Sequence, residues 1–426
     1  MPRSIGVLPE GIERVKSAIR QSGFPSQRAL ARDLGRSHST IARFVKGKPV
    51  DYQTFLAICE RLGLDWLEMA DLDHKGSSSF WSNTQAEEEI ATQRQDWGQS
   101  PDVSIGFYGR TEELAKLEQW IVRDRCRLVA LLGMGGIGKT SLSAKLAREI
   151  QDEFECCIWR SLRNAPTLTE LLADVMQFLV PDRYLPDIDQ STSRLIEYLQ
   201  AHRCLLVLDD WDTILESGSF AGRYRCDREG YGELLKQVGE VNHQSCLVLN
   251  SRDKPKEIAV LEGDHLPVRV LRIMGLDEQA ARQILRDKGL FNQNKWQILI
   301  NLYRGNPLAL KIVSNTIKDL FLGRVSQFLE LDTIIYTSLE AFLLEVFGRL
   351  SSSELDILNY LANNEQPVSV QELQSEINLK YRSDLMASLI SLSDRSLLET
   401  FSKEDKAVFT LHPLVKEYVL MKSPHA

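Results

Sequence analysis

The 426-residue sequence lacks several features that would place it in a specialised class of protein. No apolar run approaches the roughly 20 residues that a membrane-spanning helix needs, and the N-terminus has no apolar signal-peptide core. The seven cysteines are odd in number and form no Cys-x-x-Cys pair, which argues against a disulfide framework or a zinc site. No internal repeat of solenoid or propeller period is present. We therefore expect a cytoplasmic protein without membrane contact, whose cysteines are reduced core residues.

The composition is that of a soluble globular protein, with 43% hydrophobic and 26% charged residues. The length suggests about three domains. The net charge of −8 is unevenly distributed, because residues 1–70 carry eleven Lys and Arg against seven Asp and Glu. A basic end on an acidic protein indicates an anionic partner for that end.

The clearest motif is the glycine-rich segment GMGGIGKT at residues 133–140. A short apolar run precedes it and residues with helical spacing follow it, so the segment joins a strand to a helix. The backbone N–H groups of such a loop point inward and the helix N-terminus adds partial positive charge, an arrangement that binds phosphates. Lys139 is expected to reach the β- and γ-phosphates, and the Thr140 hydroxyl to bind Mg²⁺. The nucleotide-binding residues predicted here are Gly133, Gly135, Gly136, Ile137, Gly138, Lys139, Thr140 and Ser141.

Two later apolar runs end in polar residues that a nucleotide site requires. The first, residues 203–208, ends in Asp209 and Asp210, and ligands of parallel sheets bind at this carboxyl edge. We assign Asp209 to Mg²⁺ and Asp210 to the attacking water. The second ends near Arg252, which could sense the γ-phosphate. The alternatives are an Asp-Asp turn that caps the next segment and a surface arginine beside Asp253.

Alternating strands and helices between residues 105 and 274 predict an α/β P-loop domain with a parallel sheet. Within it, the glycine- and arginine-rich stretch 211–230 is expected to be a surface loop. Residues 73–104 are polar and are expected to be a linker, in which Trp97 could contact either the ATPase domain or a partner.

Residues 1–72 predict a small all-α domain. Two short helices joined by a glycine turn have the geometry of a helix-turn-helix. The stretch resembles the repressor-like (XRE-type) helix-turn-helix family at Gln27, Leu30-Ala31, Leu34-Gly35, 37–41, Arg43 and Gly47. The resemblance implies that His38, Ser39 and Arg43 face the DNA major groove and that Gln27 and Lys46 touch phosphates. The alternative is a helical domain that uses the same fold for protein contacts.

Taken in order, the later motifs resemble the NB-ARC branch of the STAND ATPases, the switch module of apoptotic and plant disease-resistance proteins. The resemblance is carried by residues 107–113, the P-loop, residues 205–210, 249–252, 305–310 and 411–413. It implies that Arg110 lies near the adenine, that Arg252 meets the γ-phosphate of ATP, and that Pro307 packs on the adenine or ribose. It also implies that His412 bonds the β-phosphate of ADP, although Leu411 and Pro413 stand where the family has Met and Asp.

Two more domains are expected beyond the parallel sheet. Residues 275–335 carry amphipathic helices and should form an α-helical lid. Residues 336–426 contain helices followed by a strand hairpin, which is the order of a winged helix. The helix over 383–397 is too apolar for a DNA groove, so we expect this domain to pack as part of the lid.

The sequence as a whole predicts a switch that binds ATP or ADP with Mg²⁺ and hydrolyses ATP slowly. Nucleotide exchange would open the lid and favour self-association, or recruit a separate sensor or effector protein. The alternative is an ATP-controlled DNA-binding regulator of transcription or mobile elements that acts through residues 1–70. A third possibility, a DNA-remodelling ATPase of the AAA+ kind, is disfavoured by the NB-ARC-like lid.

Overall fold

The computed structural model describes residues 4–5, 7–8, 11–21, 27–34, 38–48, 50–64, 69, 94–180, 188–331, 335, 337–377, 382–403 and 405–422. The chain divides into two compact units, Met1–Glu87 and Glu88–Ala426. Over the described ranges, no helix is long and apolar enough to cross a membrane. All seven cysteines lie in the described residues, and each is buried except Cys226.

The first unit is mainly helical. Its helices are α1 (Gly11–Gln21), α2 (Gln27–Asp33), α3 (His38–Val45) and α4 (Tyr52–Arg61), and its two short antiparallel strands are β1 (Ser4–Ile5) and β2 (Val50–Asp51). The helices bury one apolar cluster, in which the rings of Phe44 and Phe55 meet edge to face with centroids 5.2 Å apart. The predicted turn at Gly35 and the predicted core residues Trp66 and Leu67 lie outside the described residues.

The second unit is built on a six-stranded parallel sheet. Its strands are β3 (Arg94–Asp96), β4 (Leu128–Leu132), β5 (Cys156–Ser161), β6 (Cys204–Asp209), β7 (Cys246–Ser251) and β8 (Val268–Arg272). Their order across the sheet is β3-β5-β6-β7-β4-β8, and every neighbouring pair is parallel. Strands β4, β6 and β7 are buried along their whole length, which explains their unbroken apolar runs. The prediction of an α/β domain with a parallel sheet is confirmed.

Helices join these strands, and separate apolar clusters are buried in the domain. The helices are α5 (Thr111–Glu118), α6 (Lys139–Glu149), α7 (Leu168–Leu179), α8 (Ile188–Ala201), α9 (Gly230–Glu240) and α10 (Lys256–Leu261). Helix α7 begins where it does because Thr167 and Glu170 form a reciprocal capping box that satisfies backbone N–H groups at the helix start.

The predicted linker 73–104 is wrong at its C-terminal end, because residues 94–96 form the edge strand β3. The strand is polar throughout, so it carries no apolar run that would reveal it. Arg94 fixes it in place by donating to the carbonyl oxygens of Leu179, at 2.9 Å, and Phe178. Trp97 packs on an apolar cluster of the same domain, which answers the question of where it docks.

The predicted surface loop 211–230 is also partly wrong. Residues Trp211–Ile214 form a 3₁₀ turn, and Trp211, Ile214 and Tyr224 are buried. The ring of Trp211 meets that of Tyr231 edge to face at 5.4 Å. The glycine and arginine content of the stretch gave no indication that its aromatic side chains complete the core.

A second body follows the parallel sheet, and we call residues 276–422 the C-terminal body. Its helices are α11 (Glu278–Asp287), α12 (Trp296–Leu302), α13 (Pro307–Phe321), α14 (Val325–Leu329), α15 (Thr337–Phe347), α16 (Ser352–Asn363), α17 (Val370–Glu376), α18 (Arg382–Asp394) and α19 (Pro413–Lys422). Its antiparallel sheet has the order β10 (Leu398–Lys403), β11 (Lys406–Leu411), β9 (Val368–Ser369). One apolar cluster runs from α11 to α19 and includes Met134 of the glycine-rich loop.

Candidate nucleotide-binding site

The glycine-rich loop between β4 and α6 has backbone conformations that residues with side chains rarely adopt. Gly133, Gly136 and Gly138 have φ angles of 152°, 69° and 101°, in the region that favours glycine. A Cβ on Gly133 would lie 2.7 Å from the carbonyl oxygen of Ile273, and one on Gly136 would lie 2.6 Å from Leu308. At Gly138 nothing lies within 4 Å of a built Cβ, so the backbone there borders open space.

That open space belongs to a cavity of about 350 Å³ at the carboxyl edge of the sheet. It brings together the predicted residues Gly135, Gly136, Gly138, Lys139, Thr140, Ser141, Asp209, Asp210, Arg252 and Pro307. It is also lined by residues that sequence reasoning missed, namely Asp212, Asn250, Leu308, Lys311, Phe342 and Glu345. The C-terminal body therefore contributes one wall of the cavity.

Lys139 is buried at the base of this cavity. Its ammonium group donates to the carbonyl oxygens of Gly133 at 2.7 Å and Met134 at 3.2 Å. Burial lowers its pKa to about 8, against the opposing effect of nearby Asp212. The charged form still predominates at pH 7, and an anion placed beside it would stabilise that form further.

Asp209 lies between Thr140 and Asn250. Its Oδ1 accepts from the Thr140 hydroxyl at 3.0 Å and from the Asn250 amide at 2.8 Å, and the same amide donates to Ser143 at 2.7 Å. Burial and the neighbouring charge of Asp210 raise the pKa of Asp209. A bound cation would stabilise the charged carboxylate of Asp209 and so oppose this rise in its pKa.

The residues around Asp209 fit Mg²⁺. A hydroxyl and a carboxylate are the oxygen ligands this ion takes, and the amide oxygen of Asn250 is buried without a hydrogen-bond partner among the described residues. No group of three or more His, Cys, Asp or Glu residues is arranged to hold a metal in the described part of the chain. Mg²⁺ in nucleotide sites takes most of its ligands from phosphates and water.

Asp210 follows Asp209 in a left-handed conformation, with φ 57°. Its carboxylate accepts from the Ser161 hydroxyl at 3.0 Å and lies 3.5 Å from the guanidinium of Arg163. These contacts hold the carboxylate on the cavity wall at the ends of β5 and β6. The side chain is partly exposed and open to a ligand on its remaining side.

Arg252 is not the surface arginine of the alternative interpretation. Its side chain is 23% exposed, its guanidinium lies 2.5 Å from Glu345 and 3.4 Å from Asp212, and its backbone N–H donates to Asp212 at 3.1 Å. Burial would lower its pKa, but the two carboxylates outweigh burial and raise it. Glu345 belongs to α15, so this ion pair joins the parallel sheet to the C-terminal body.

Arg110 holds the outer side of the loop. Its buried guanidinium donates to the carbonyl oxygens of Ile137 at 3.0 Å and Met274 at 2.6 Å, and it pairs with Glu113 at 2.6 Å. The residue therefore ties the glycine-rich loop to the end of β8. It does not line the cavity that contains Lys139.

Asn306 connects the C-terminal body to the loop. Its buried amide nitrogen donates to the carbonyl oxygen of Gly135 at 3.0 Å, and its amide oxygen caps α13 by accepting from Leu308 and Ala309 at 3.1 Å each. Pro307 follows in the first turn, where proline is tolerated. Sequence reasoning singled out Pro307 and missed Asn306, although Asn before a helix-starting Pro is a capping signal.

His412 lies in a separate cavity of about 560 Å³, beside Met134 and Ile137 on the outer side of the loop. Its Nδ1 accepts from the backbone N–H of Leu414 at 3.2 Å, so the neutral ring carries its proton on Nε2. Burial, and then the nearby charge of Arg304, lower its pKa to about 4. The ring is therefore neutral at pH 7 and can donate one hydrogen bond from Nε2.

The predicted DNA-facing residues lie in the first unit. Arg43 and Lys46 are exposed, at the end of α3 and just after it. Gln27 begins α2, and His38 and Ser39 begin α3, but their side chains lie outside the described residues.

Comparison with known proteins supports the α/β part of this assignment. The family model for the NB-ARC domain matches residues 110–219. An uncharacterised WD repeat-containing protein of Nostoc sp. is 40% identical over 449 residues, covering 96% of this chain and 35% of the relative. The disease resistance protein RRS1 of Arabidopsis thaliana is 26% identical over 228 residues, covering 50% of this chain and 16% of the relative. A Walker-type ATPase of Pyrococcus abyssi superposes with a TM-score of 0.50 at 16% identity, covering 74% of this chain and 96% of that one.

The chain thus spans about a third or less of the length of these two curated relatives. The likeness to the Pyrococcus abyssi structure shows a P-loop ATPase fold. The matched residues 110–219 include the glycine-rich loop, Asp209 and Asp210. Residues 110–219 are thus similar to the NB-ARC domain, and the parallel-sheet part of the chain has a P-loop ATPase fold.

Proposed function

We propose that this chain binds ATP and ADP with Mg²⁺ and acts as a nucleotide-operated switch. The observation that carries the proposal is that the phosphate-binding loop is covered by distant parts of the chain. Asn306 bonds Gly135, the Leu308 N–H donates to the carbonyl oxygen of Gly136 at 3.3 Å, and Glu345 pairs with Arg252. A covered site must open to exchange its ligand, so nucleotide exchange is coupled to movement of the C-terminal body.

The residues of the cavity divide into four roles. The loop N–H groups and Lys139 bind the phosphates, and Thr140 and Asp209 hold Mg²⁺, which when bound offsets phosphate charge. Asp210 orients the attacking water, and Arg252 stabilises the charge that develops on the transferred phosphoryl group. Because the ADP form is the resting form of such a switch, hydrolysis is slow.

The C-terminal body acts as the lid, with an α-helical part up to residue 335 and a winged helix after it. The apolar side chains Leu385, Leu389 and Leu392 of α18 are buried in the body, which supports packing rather than DNA binding by this helix. The proposal includes a bond from Nε2 of His412 to the β-phosphate of ADP. The neutral ring supports that bond, whereas its position in the second cavity counts against it.

The test is mass measurement of the purified chain with ADP and with a non-hydrolysable ATP analogue. We expect the chain to have a lower mass with ADP than with the ATP analogue, because the ATP-analogue form self-associates. Lys139→Ala should lose both nucleotides and the difference in mass. A Lys139→Ala variant that keeps its affinity for both nucleotides would show that the phosphates bind elsewhere.

A second candidate function is DNA binding by the first unit as a helix-turn-helix. Arg43 and Lys46 are exposed, while Ile41, Phe44 and Val45 are buried. This supports a helix that packs by one face and offers a basic face to a partner. Binding to a specific duplex should weaken steeply with salt, and Arg43→Ala should remove the sequence preference. Absence of duplex binding would favour a protein partner.

A further inference from the structure

The cavity around the glycine-rich loop carries an unexpected charge for an anion site. The described residues that line it include three cations, Lys139, Arg252 and Lys311, but four carboxylates, Asp209, Asp210, Asp212 and Glu345. A carboxylate disfavours a bound phosphate unless a cation lies between them. Each of the four therefore needs an explanation.

Three of the carboxylates are accounted for by their neighbours. Asp209 and Asp210 lie at the end of β6, next to Thr140, where a metal ion and a water are expected. Asp212 is buried, accepts from the backbone N–H of Arg252 and lies 3.8 Å from the guanidinium of Arg349. Its charge is thus balanced within the protein.

Glu345 is different from the other three. It projects from α15 of the C-terminal body, its side chain is 62% exposed, and its contact among the described residues is with Arg252 at 2.5 Å. Its effect is to place a negative charge on the arginine that is assigned to the γ-phosphate.

We propose that Glu345 sets the nucleotide preference of the closed form, because its carboxylate occupies the Arg252 guanidinium that the third phosphate of a nucleoside triphosphate requires. This inference rests on the proposed function. The closed form then accepts a nucleoside diphosphate and rejects a triphosphate. Two like charges about 4 Å apart change an affinity about fivefold even at the dielectric constant of water, and more in a partly buried cavity.

The Arg252–Glu345 contact also couples the identity of the bound nucleotide to movement of α15. The ring of Phe342, also on α15, would lie 3.0 Å from a Cβ built on Gly135, so the helix rests directly on the loop. A triphosphate that draws Arg252 to its third phosphate repels Glu345, and α15 must move with it. The helix then carries the signal from the cavity to the rest of the C-terminal body.

A simpler account is that the Arg252–Glu345 ion pair only holds the two bodies together. The two accounts predict different results in a chain that lacks Arg252. If the pair only holds the two bodies together, Arg252→Gln has already broken it, and adding Glu345→Gln changes the preference no further. If the Glu345 carboxylate rejects the triphosphate, it is unopposed without Arg252, and removing it still favours ATP.

The experiment measures the dissociation constants of ADP and of a non-hydrolysable ATP analogue by calorimetry, with Mg²⁺, for the full chain. The variants are Glu345→Gln, Arg252→Gln and the double variant. The matched control is Glu340→Gln on the same helix, whose carboxylate pairs with Lys422 at 2.6 Å and does not line the cavity. We expect Glu345→Gln to raise the ATP-to-ADP affinity ratio about five- to tenfold, both in the wild-type chain and in the Arg252→Gln chain, and the control to leave it unchanged.

An effect of Glu345→Gln that disappears in the Arg252→Gln chain would overturn the inference, and so would an unchanged ratio in Glu345→Gln alone. In either case the wild type still binds nucleotide and loses it with Lys139→Ala, so the proposed function stands. A wild type that binds neither nucleotide would overturn the proposed function and this inference with it.

Discussion

Two of the charged contacts that join the parallel-sheet domain to the C-terminal body begin at adjacent residues. Arg252 pairs with Glu345 at the edge of the cavity. Asp253 lies 2.6 Å from Arg349 and 3.0 Å from Arg395, and Arg395 also pairs with Glu354 at 3.0 Å. All four side chains of this second contact, which we call the buried network, are at most 10% exposed.

The difference between the contacts lies in what happens when one partner leaves. In the buried network, each charge loses its water on folding and depends on its neighbours, so removing one leaves an unpaired buried charge. At the Arg252–Glu345 pair, water or a phosphate can replace the carboxylate. The buried network is suited to hold the two bodies together, and the Arg252–Glu345 pair to exchange partners.

The largest expected effect comes from breaking the buried network. Asp253→Ala leaves Arg349 and Arg395 without their shared carboxylate, and we expect the free energy of unfolding to fall by about 3–5 kcal/mol. Chemical denaturation followed by circular dichroism measures this. Asp264→Ala, an exposed carboxylate of the same domain, should change stability by no more than about 0.5 kcal/mol. Similar values for the two variants would show that the network is not a structural contact.

A smaller effect is expected from His412, which responds to pH. Its pKa is depressed to about 4 in the folded chain from an ordinary 6.5, mainly by burial. The unfolded chain therefore binds the proton more readily, and the stabilisation present above pH 6.5 is lost as pH falls toward 4. We expect a loss of about 1–2 kcal/mol, less than the full shift implies because the ring is only partly buried.

The measurement for His412 is unfolding at pH 7.5 and pH 5 in the wild type and in His412→Gln. The variant should lose the part of the pH dependence of stability that falls between pH 6.5 and pH 5. An identical pH dependence in both proteins would show that His412 is not the residue that titrates.

The smallest effect on stability is expected for Glu345→Gln. The pair is half exposed, and such pairs contribute about 0–1 kcal/mol. The variant should therefore unfold almost like the wild type while its nucleotide preference changes. Destabilisation comparable to that of Asp253→Ala would remove the distinction between the two contacts.

The sequence could predict those parts of the site that are local. The glycine-rich loop, Asp209, Asp210 and Arg252 each follow directly from an apolar strand, and the strand determines where the polar residue lies. Asp212, Asn306 and Glu345 could not be assigned in this way. Glu345 reaches Arg252 across 93 residues of chain, and no periodicity records that contact.

The fold shows the same division. The buried strands of the parallel sheet were evident because both of their faces are apolar. The edge strand at Arg94–Asp96 was not, because its three residues are polar and its place depends on Arg94 reaching the end of α7. The buried network was equally hidden, since Asp253, Arg349, Glu354 and Arg395 look like ordinary surface charges until the two bodies are brought together.

The two ends of the Asn306 amide make different contacts, and in the proposed switch this determines how the lid would move. The oxygen caps α13 and the nitrogen bonds the loop, so the proposed lid would separate by breaking the second bond without disturbing the first. The helix would then keep its cap in both positions and move as a rigid body. An aspartate at this position would keep the helix start but put a carboxylate against the carbonyl oxygen of Gly135, giving a lid that is intact but unable to close.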